Sequence, residues 1–196
     1  MSRIDNLSGL LFRQLEGIGP IPYSERQRIL PMLSLRLVAR GDYLVRAGET
    51  MPTIGYICSG LLRYFYNDAE GKEFTRYFCT TGHFVSPPGG SEGSAYSIQA
   101  ITDTELLNVS VNHWQSLVET DLHWARVAVA TQEHALRMAE KRERSLILEN
   151  ATTRYLDLLD EFPSIEKYVK QYDIASYLGI TAVALSRIRG QKAPRG

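Results

Sequence analysis

The residues whose types and spacing suit a chemistry lie near the C-terminal end. Within QYDIASYLGITAVALSRIRGQK, Gln171 to Lys192, a short stretch carries Thr181, Ser186, Arg187, Arg189 and Lys192. Hydroxyls interleaved with cations are what hydrogen bonding to a polyanion requires. A guanidinium such as that of Arg187 can bond bidentately to a guanine edge, worth about 1–3 kcal/mol of discrimination. Thr181, Ser186, Arg189 and Lys192 suit phosphate oxygens, contacts that position a duplex without reading it. Ala182 and Val183 offer only methyl groups, which at best touch thymine methyls. Arg189 and Lys192 equally suit a solvated helix end, where cations oppose the dipole.

Such side chains need a scaffold, and the same stretch encodes one. Tyr172 to Leu178 reads as a short helix with Ile174, Ala175 and Leu178 apolar, and Ala175 small enough for a close crossing. Gly179 suits a left-handed helix stop. Ile180 plugs the turn, and Thr181 is a natural N-cap for a second helix. Leu185 and Ile188 would face the first helix, leaving Ser186, Arg187 and Arg189 outside. This is the pattern of a helix-turn-helix. It is also that of an αα-corner that only packs. The surrounding charge favours the former: from Pro163 to Gly196 six basic residues stand against two acidic ones, although lysine plus arginine equals aspartate plus glutamate over the whole chain.

Other chemistries find less support. Cys58 and Cys79 sit in apolar, strand-like segments and read as buried thiols or as a redox pair; two thiolates cannot hold an ordinary iron–sulfur cluster. A metal-binding cupin needs two histidines one residue apart with further ligands nearby. His83 has no such neighbour, and His113, His123 and His134 fall on expected helices. No nucleophile–base pair, P-loop or dinucleotide fingerprint occurs. No catalytic residue, metal ligand or cofactor is therefore expected, and a cupin-like metal enzyme stands as the weakest alternative.

The 196 residues suffice for one sizeable domain and a small one. No run reaches the ~18 apolar residues of a membrane span, and no secretory leader is evident, so a cytoplasmic, non-membrane protein is expected. Leu7–Glu16 and Ser24–Met32 read as helices, the second capped by Ser24. From Leu33 to about Val111 short apolar segments alternate with glycine turns, such as Tyr43–Val45, Gly55–Cys58, Leu61–Tyr66, Phe74–Cys79, Ser97–Ala100 and Glu105–Val109. That rhythm implies a β-sandwich, jelly roll or barrel. A long helix then runs from an Asp121 cap to about Leu148. Its stripe of Trp124, Ala128, Thr131, Ala135 and Met138 fits a coiled-coil seam or a face packed on its own domain; a length of roughly 40 Å favours dimerisation. A further helix, Ala151–Phe162, stops at Pro163.

The order of these parts, and above all RYLDLLDEFPSIEKYVKQYDIASYLGITAVALSRIR, resembles the Crp/Fnr family of bacterial transcription regulators. GDYLVRAGE (Gly41–Glu49) and GHF (Gly82–Phe84) are similar to that family's cyclic-nucleotide-binding-type jelly roll. The resemblance implies an α+β chain: a sensor β-roll over residues 1–120, a dimerisation helix over 121–148 and a winged-helix-type helix-turn-helix over 149–196. It implies a homodimer that reads a two-fold-symmetric operator in double-stranded DNA and meets RNA polymerase. Where many relatives carry an Arg-Glu pair and a later arginine, this chain has Ala182, Val183 and Arg187, so fewer base contacts are expected. Where cyclic-nucleotide-binding relatives carry Gly-Glu-Leu and Arg-Ser-Ala, it has Ser86-Pro87-Pro88 and Tyr96-Ser97-Ile98. Both charged partners of the nucleotide are missing, so cyclic AMP is not expected. Ser86, Tyr96 and Ser97 remain the candidate pocket for an unknown small-molecule effector, and Pro87–Gly93 is either a functional or a surface loop. A sensor module without productive DNA binding is the principal alternative. Any wing after the second helix is expected to be short or absent.

Overall fold

The computed structural model describes residues 3–86 and 93–192. Two helices, α1 (Arg3–Glu16) and α2 (Tyr23–Ile29), precede eight strands. Helix α2 starts two residues earlier than a Ser24 cap would allow. Its cap is Pro22, whose carbonyl accepts from Glu25 and Arg26 at 3.0 and 3.1 Å, so Ser24 falls inside the first turn.

The strands are β1 (Ser34–Val38), β2 (Tyr43–Val45), β3 (Thr53–Ser59), β4 (Leu61–Asn67), β5 (Glu73–Thr80), β6 (Phe84–Val85), β7 (Ser97–Ala100) and β8 (Thr104–Ser110). They form two four-stranded sheets, ordered β1-β8-β3-β6 and β2-β7-β4-β5. Interleaving of early and late strands in both sheets is the jelly-roll pattern that the glycine spacing implies. Strands β3 and β8 pair antiparallel, with Ile54 opposite Val109, Tyr56 opposite Leu107 and Ile57 opposite Leu106. Because alternate residues face opposite ways, one set of side chains enters the roll and the other meets helices. Ile57, Leu62, Val85, Ile98 and Leu106 expose nothing to solvent. Between β3 and β4 the chain reverses at Gly60, with φ of 110°; a Cβ there would lie 2.3 Å from the Thr104 hydroxyl oxygen. Only glycine satisfies both constraints.

Residues 111–192 are helical with short connections: α3 (Val111–Thr120), α4 (Leu122–Leu148), α5 (Ala151–Glu161), α6 (Ile165–Tyr168), α7 (Gln171–Leu178) and α8 (Ala182–Lys192). Local caps set several of these limits. The Ser110 hydroxyl accepts from the His113 amide at 3.1 Å, Asp121 from His123 at 2.7 Å and Asn150 from Thr153 at 3.0 Å. Helix α8 reaches the last described residue, so the expectation of a short or absent wing after it falls outside the described residues.

Contacts divide the chain into two compact units. One comprises residues 1–64 and 78–135; the other comprises 65–77 and 136–196. The first centres on Leu11, Leu15, Tyr56, Leu107, Leu117 and Trp124, where α1, α3 and the start of α4 cover the β1-β8-β3-β6 sheet. In the second, the β4–β5 hairpin tip joins the C-terminal helices: the Thr75 amide donates to the Ser176 hydroxyl of α7 at 2.9 Å.

Candidate functional site

Helix α7 ends as its sequence requires. Gly179 is left-handed, at φ 68° and ψ 31°. The amide of Ile180 donates to Ala175 and that of Gly179 to Ser176, at 3.0 and 3.1 Å, closing a Schellman motif. The next carbonyls are taken by arginines from other helices. Arg142 of α4 donates to the Tyr177 carbonyl, and its guanidinium lies 4.0 Å over the Tyr177 ring. Arg154 of α5 donates to the Leu178 carbonyl at 3.0 Å and also to that of Glu149. Two cations thus sit on the negative end of α7, where the dipole favours them. Burial pulls the Arg142 guanidinium below the usual arginine range, although it remains charged.

Helix α8 opens on Thr181, whose hydroxyl accepts from the Ala184 amide at 3.2 Å. Leu185 is wholly buried, as are Ile174 and Leu178 of α7. This apolar contact fixes the pair, and burying one leucine is worth about 1.5–3 kcal/mol. It turns the other side of α8 outward: Thr181, Ala182, Val183, Ser186 and Arg187 are all exposed. Val183 retains 63% of its surface.

Arg189 is placed differently. It pairs with Glu166 at 2.5 Å and donates through Nε to the Tyr155 hydroxyl at 3.3 Å. Tyr155 donates to the same Glu166 carboxylate at 2.6 Å. The side chain that sequence assigned to phosphate is therefore engaged within its own unit, linking α8 to α5 and α6. Sequence spacing gives no sign of this, because Glu166 approaches only through the tertiary fold. Lys192 closes α8, and its side chain lies outside the described residues.

The α4 stripe also needs correction. Trp124 is fully buried, its indole N–H donating to Glu25 at 2.7 Å, while Ala128, Thr131 and Ala135 line a cavity within the first unit. The start of this face, at Trp124, packs on its own domain, whereas Ala128, Thr131 and Met138 are half-buried and Ala135 is exposed. The exposed apolar residues of α4 are instead Leu122, Val129 and Leu136, seven residues apart, followed by Leu146 to Leu148. That heptad spacing is readable in the sequence; only its exposure is not.

Of the candidate effector residues, Ser86 and Tyr96 line the same cavity, of about 690 Å³. Ser97 does not: it is buried, and its hydroxyl accepts from the Ala47 amide at 3.1 Å. Residues 87–92, most of the Pro87–Gly93 loop, lie outside the described residues. Cys58 and Cys79 are buried thiols without a disulfide, and burial raises the Cys58 pKa. Among the described residues no three histidine, cysteine or acidic side chains cluster as a metal site would need. No described helix is long and apolar enough to cross a membrane.

Residues 35–121 match the cyclic nucleotide-binding domain family. No curated protein matches the chain in sequence. Solved structures match its fold over most of its length. FixK2 of Bradyrhizobium japonicum is 20% identical with a TM-score of 0.72, over 81% of this chain and 83% of that one. The c-di-GMP-responsive global regulator CLP of Xanthomonas campestris is 18% identical with a TM-score of 0.68, over 87% and 91%. A protein of Eubacterium rectale assigned as a transcriptional regulator of the Crp/Fnr family is 17% identical with a TM-score of 0.67, over 87% and 83%. The chain thus has a cyclic nucleotide-binding-type β-roll within a mixed helix-and-sheet fold shared with regulators of that family.

Proposed function

We propose that this chain is a dimeric transcription regulator of the Crp/Fnr type that reads a two-fold-symmetric operator through α8. In this reading residues 1–120 are the sensor, 121–148 the dimer helix and 149–196 the DNA-binding domain with a helix-turn-helix formed by α7 and α8. The observation that carries it is the outward face of α8. Thr181, Ser186 and Arg187 stand exposed on a helix whose inner face is pinned by Leu185 and whose start is fixed by the Gly179 turn. A helix so presented fits the major groove, where its first turns meet base edges. Arg187 is the specificity residue, Thr181 and Ser186 contact phosphates, and Ala182 and Val183 meet thymine methyls. Lys192 adds a cation at the helix end, whereas Arg189 holds the domain together. Exposed Leu122, Val129 and Leu136 supply the dimer seam. Tyr96 stands where an arginine would pair with a cyclic phosphate, so the sensor responds to something other than cyclic AMP.

Selection of bound sequences from random duplex DNA tests this, with Arg187→Ala in parallel. A symmetric motif with half-sites about 34–36 Å apart, relaxed in the variant, is the expected result. Binding without an enriched motif, unchanged by Arg187→Ala, would favour the second reading, a sensor without sequence-specific DNA contact. The apolar Ala182–Val183 start of α8 is the observation on that side.

A further inference from the structure

The cavity lies on the helix-covered side of the β1-β8-β3-β6 sheet. Its floor includes Ile54 and Tyr56 of β3 and Leu107 and Val109 of β8, which pair across the two strands on one face. The next pair along the register, Ile57 and Leu106, has the opposite parity and is wholly buried in the filled interior of the roll. Ser86 and Tyr96 stand on the lining too, but most of the wall comes from α1, α3 and the first half of α4.

The chemistry of the lining is one-sided. Trp114 and Trp124, in edge contact with centroids 5.9 Å apart, both face the cavity, and they are the chain's two tryptophans. The polar atoms of the deeper residues already have partners. Trp124 donates to Glu25 at 2.7 Å, the Tyr56 hydroxyl to the Leu10 carbonyl at 3.3 Å, and the Thr131 hydroxyl lies 2.9 Å from the Ala128 carbonyl. What these groups turn to the cavity is apolar. Exposed Gln115, Glu119 and Gln132 complete the lining as its uncommitted polar groups. No lysine, arginine or histidine is among the described lining residues. An anion would leave water with no counter-charge to meet it, beside a carboxylate of its own sign. A volume of about 690 Å³ lies within the range of small-molecule sites, which are mostly apolar with a few placed polar groups.

We infer that this cavity binds an uncharged amphiphile: an apolar body the size of two fused rings or a ten-carbon chain, with a neutral hydrogen-bonding head held by Gln115 or Gln132. The inference rests on the reading of the β-roll as a sensor and names the class of molecule it takes. Occupancy presses on Trp124, Val127 and Ala128, so the ligand bears directly on α4.

The test uses full-length protein and the neutral probe N-phenyl-1-naphthylamine, read by energy transfer from the two tryptophans. Saturable transfer at about one probe per chain is expected. Val118→Phe and Ala128→Phe fill the cavity from α3 and α4 respectively, and each is expected to weaken the probe at least tenfold while the chain stays folded by circular dichroism. Decanol is expected to displace the probe at least tenfold more effectively than decyl sulfate, which has the same chain and an anionic head. Absence of saturable transfer, wild-type binding in both folded variants, or equal displacement by the sulfate would each overturn the inference. Because operator selection is read separately, a failed probe with an enriched motif would leave the regulator reading standing, and the converse would leave the cavity.

Discussion

Arg142 of α4 holds the end of α7 by donating to the Tyr177 carbonyl while its guanidinium stacks over the Tyr177 ring at 4.0 Å. Tyr177 stands two residues before Gly179, so this one contact ties the long helix to the turn that aims α8. Removing it deprives a part-buried carbonyl of a charged donor and a ring of its cation. Hydrogen bonds to charged groups contribute about 1.5–3 kcal/mol, and a cation–π contact between half-buried groups adds about 0.5–1. Arg142→Ala is expected to lower the unfolding free energy by about 2–4 kcal/mol in urea denaturation. Arg142→Lys, which keeps charge but loses the flat stacking group, is expected to recover less than half. A loss below 0.5 kcal/mol in Arg142→Ala would show that the contact does not hold the turn.

Arg187 and Arg189 lie two residues apart, yet their variants should separate cleanly. Arg187 is exposed, so Arg187→Ala should change stability by no more than about 0.5 kcal/mol. Arg189 is partly buried against Glu166 and Tyr155. Partial exposure screens the pair, so Arg189→Ala should cost about 1 kcal/mol. Thermal unfolding of both proteins, beside binding to the selected operator, checks the assignment. The expected pattern is lost specificity with intact stability for Arg187→Ala and the reverse emphasis for Arg189→Ala. Equal melting temperatures with equal loss of specificity would return Arg189 to the DNA-contacting set.

These two arginines show what sequence conveys and where it stops. Turn and cap chemistry is local: Gly179, Thr181 and Asp121 act within a few residues, and the ends of α4, α7 and α8 follow from them. Jelly-roll rhythm is similarly visible, since glycine turns recur at intervals that only short strands can fill. Strand β6, two residues long, has no room for a pattern and is invisible. Partner choice is non-local. Helical period groups Trp124, Ala128, Thr131 and Ala135 on one face, but it cannot say whether that face meets a second chain or the chain's own sheet. Nothing in the spacing links Arg189 to Glu166, distinguishes Arg142 from the other arginines of α4, or links Arg154 of α5 to the end of α7.

Burial, and then the Glu166 carboxylate, raise the Tyr155 pKa above its ordinary value of 10.0. Below about pH 9 the phenol is protonated in both folded and unfolded chains, so it contributes no slope. Above 10 the unfolded chain releases the proton while the folded chain keeps it. The unfolded state then binds fewer protons, and stability falls as pH rises. Urea midpoints measured from pH 8 to 11 should decline, and Tyr155→Phe should flatten part of that decline. Tyr177, raised mainly by burial, supplies a further part. An identical slope in Tyr155→Phe would remove Tyr155 from the account.

Cys58 tests the redox reading directly. The thiol is 5% exposed, and burial raises its pKa. Since the thiolate is the reactive form, both access and ionisation oppose reaction at neutral pH. Neither Cys58 nor Cys79 should react with Ellman's reagent in the folded protein within an hour at pH 7.5, and both should react within minutes in 6 M urea. Rapid labelling of either in the folded state would revive a sensing role.

The proposed dimer seam follows from which face of α4 is open. The stripe through Trp124 and Ala128 is committed to the first unit, whereas Leu122, Val129 and Leu136 are 64, 55 and 61% exposed at seven-residue spacing. An apolar row with that period is costly in water and suits a two-stranded seam, where each residue enters a hole on the facing helix. Val129→Glu should place two like charges together at the seam without touching the chain's own core. The expected outcome is a wild-type dimer and a monomeric variant in sedimentation velocity at 10 µM, with unchanged circular dichroism. The monomer should also lose symmetric operators, because two half-sites require two correctly spaced α8 helices. A dimer that survives both Val129→Glu and Leu136→Glu would move the interface elsewhere.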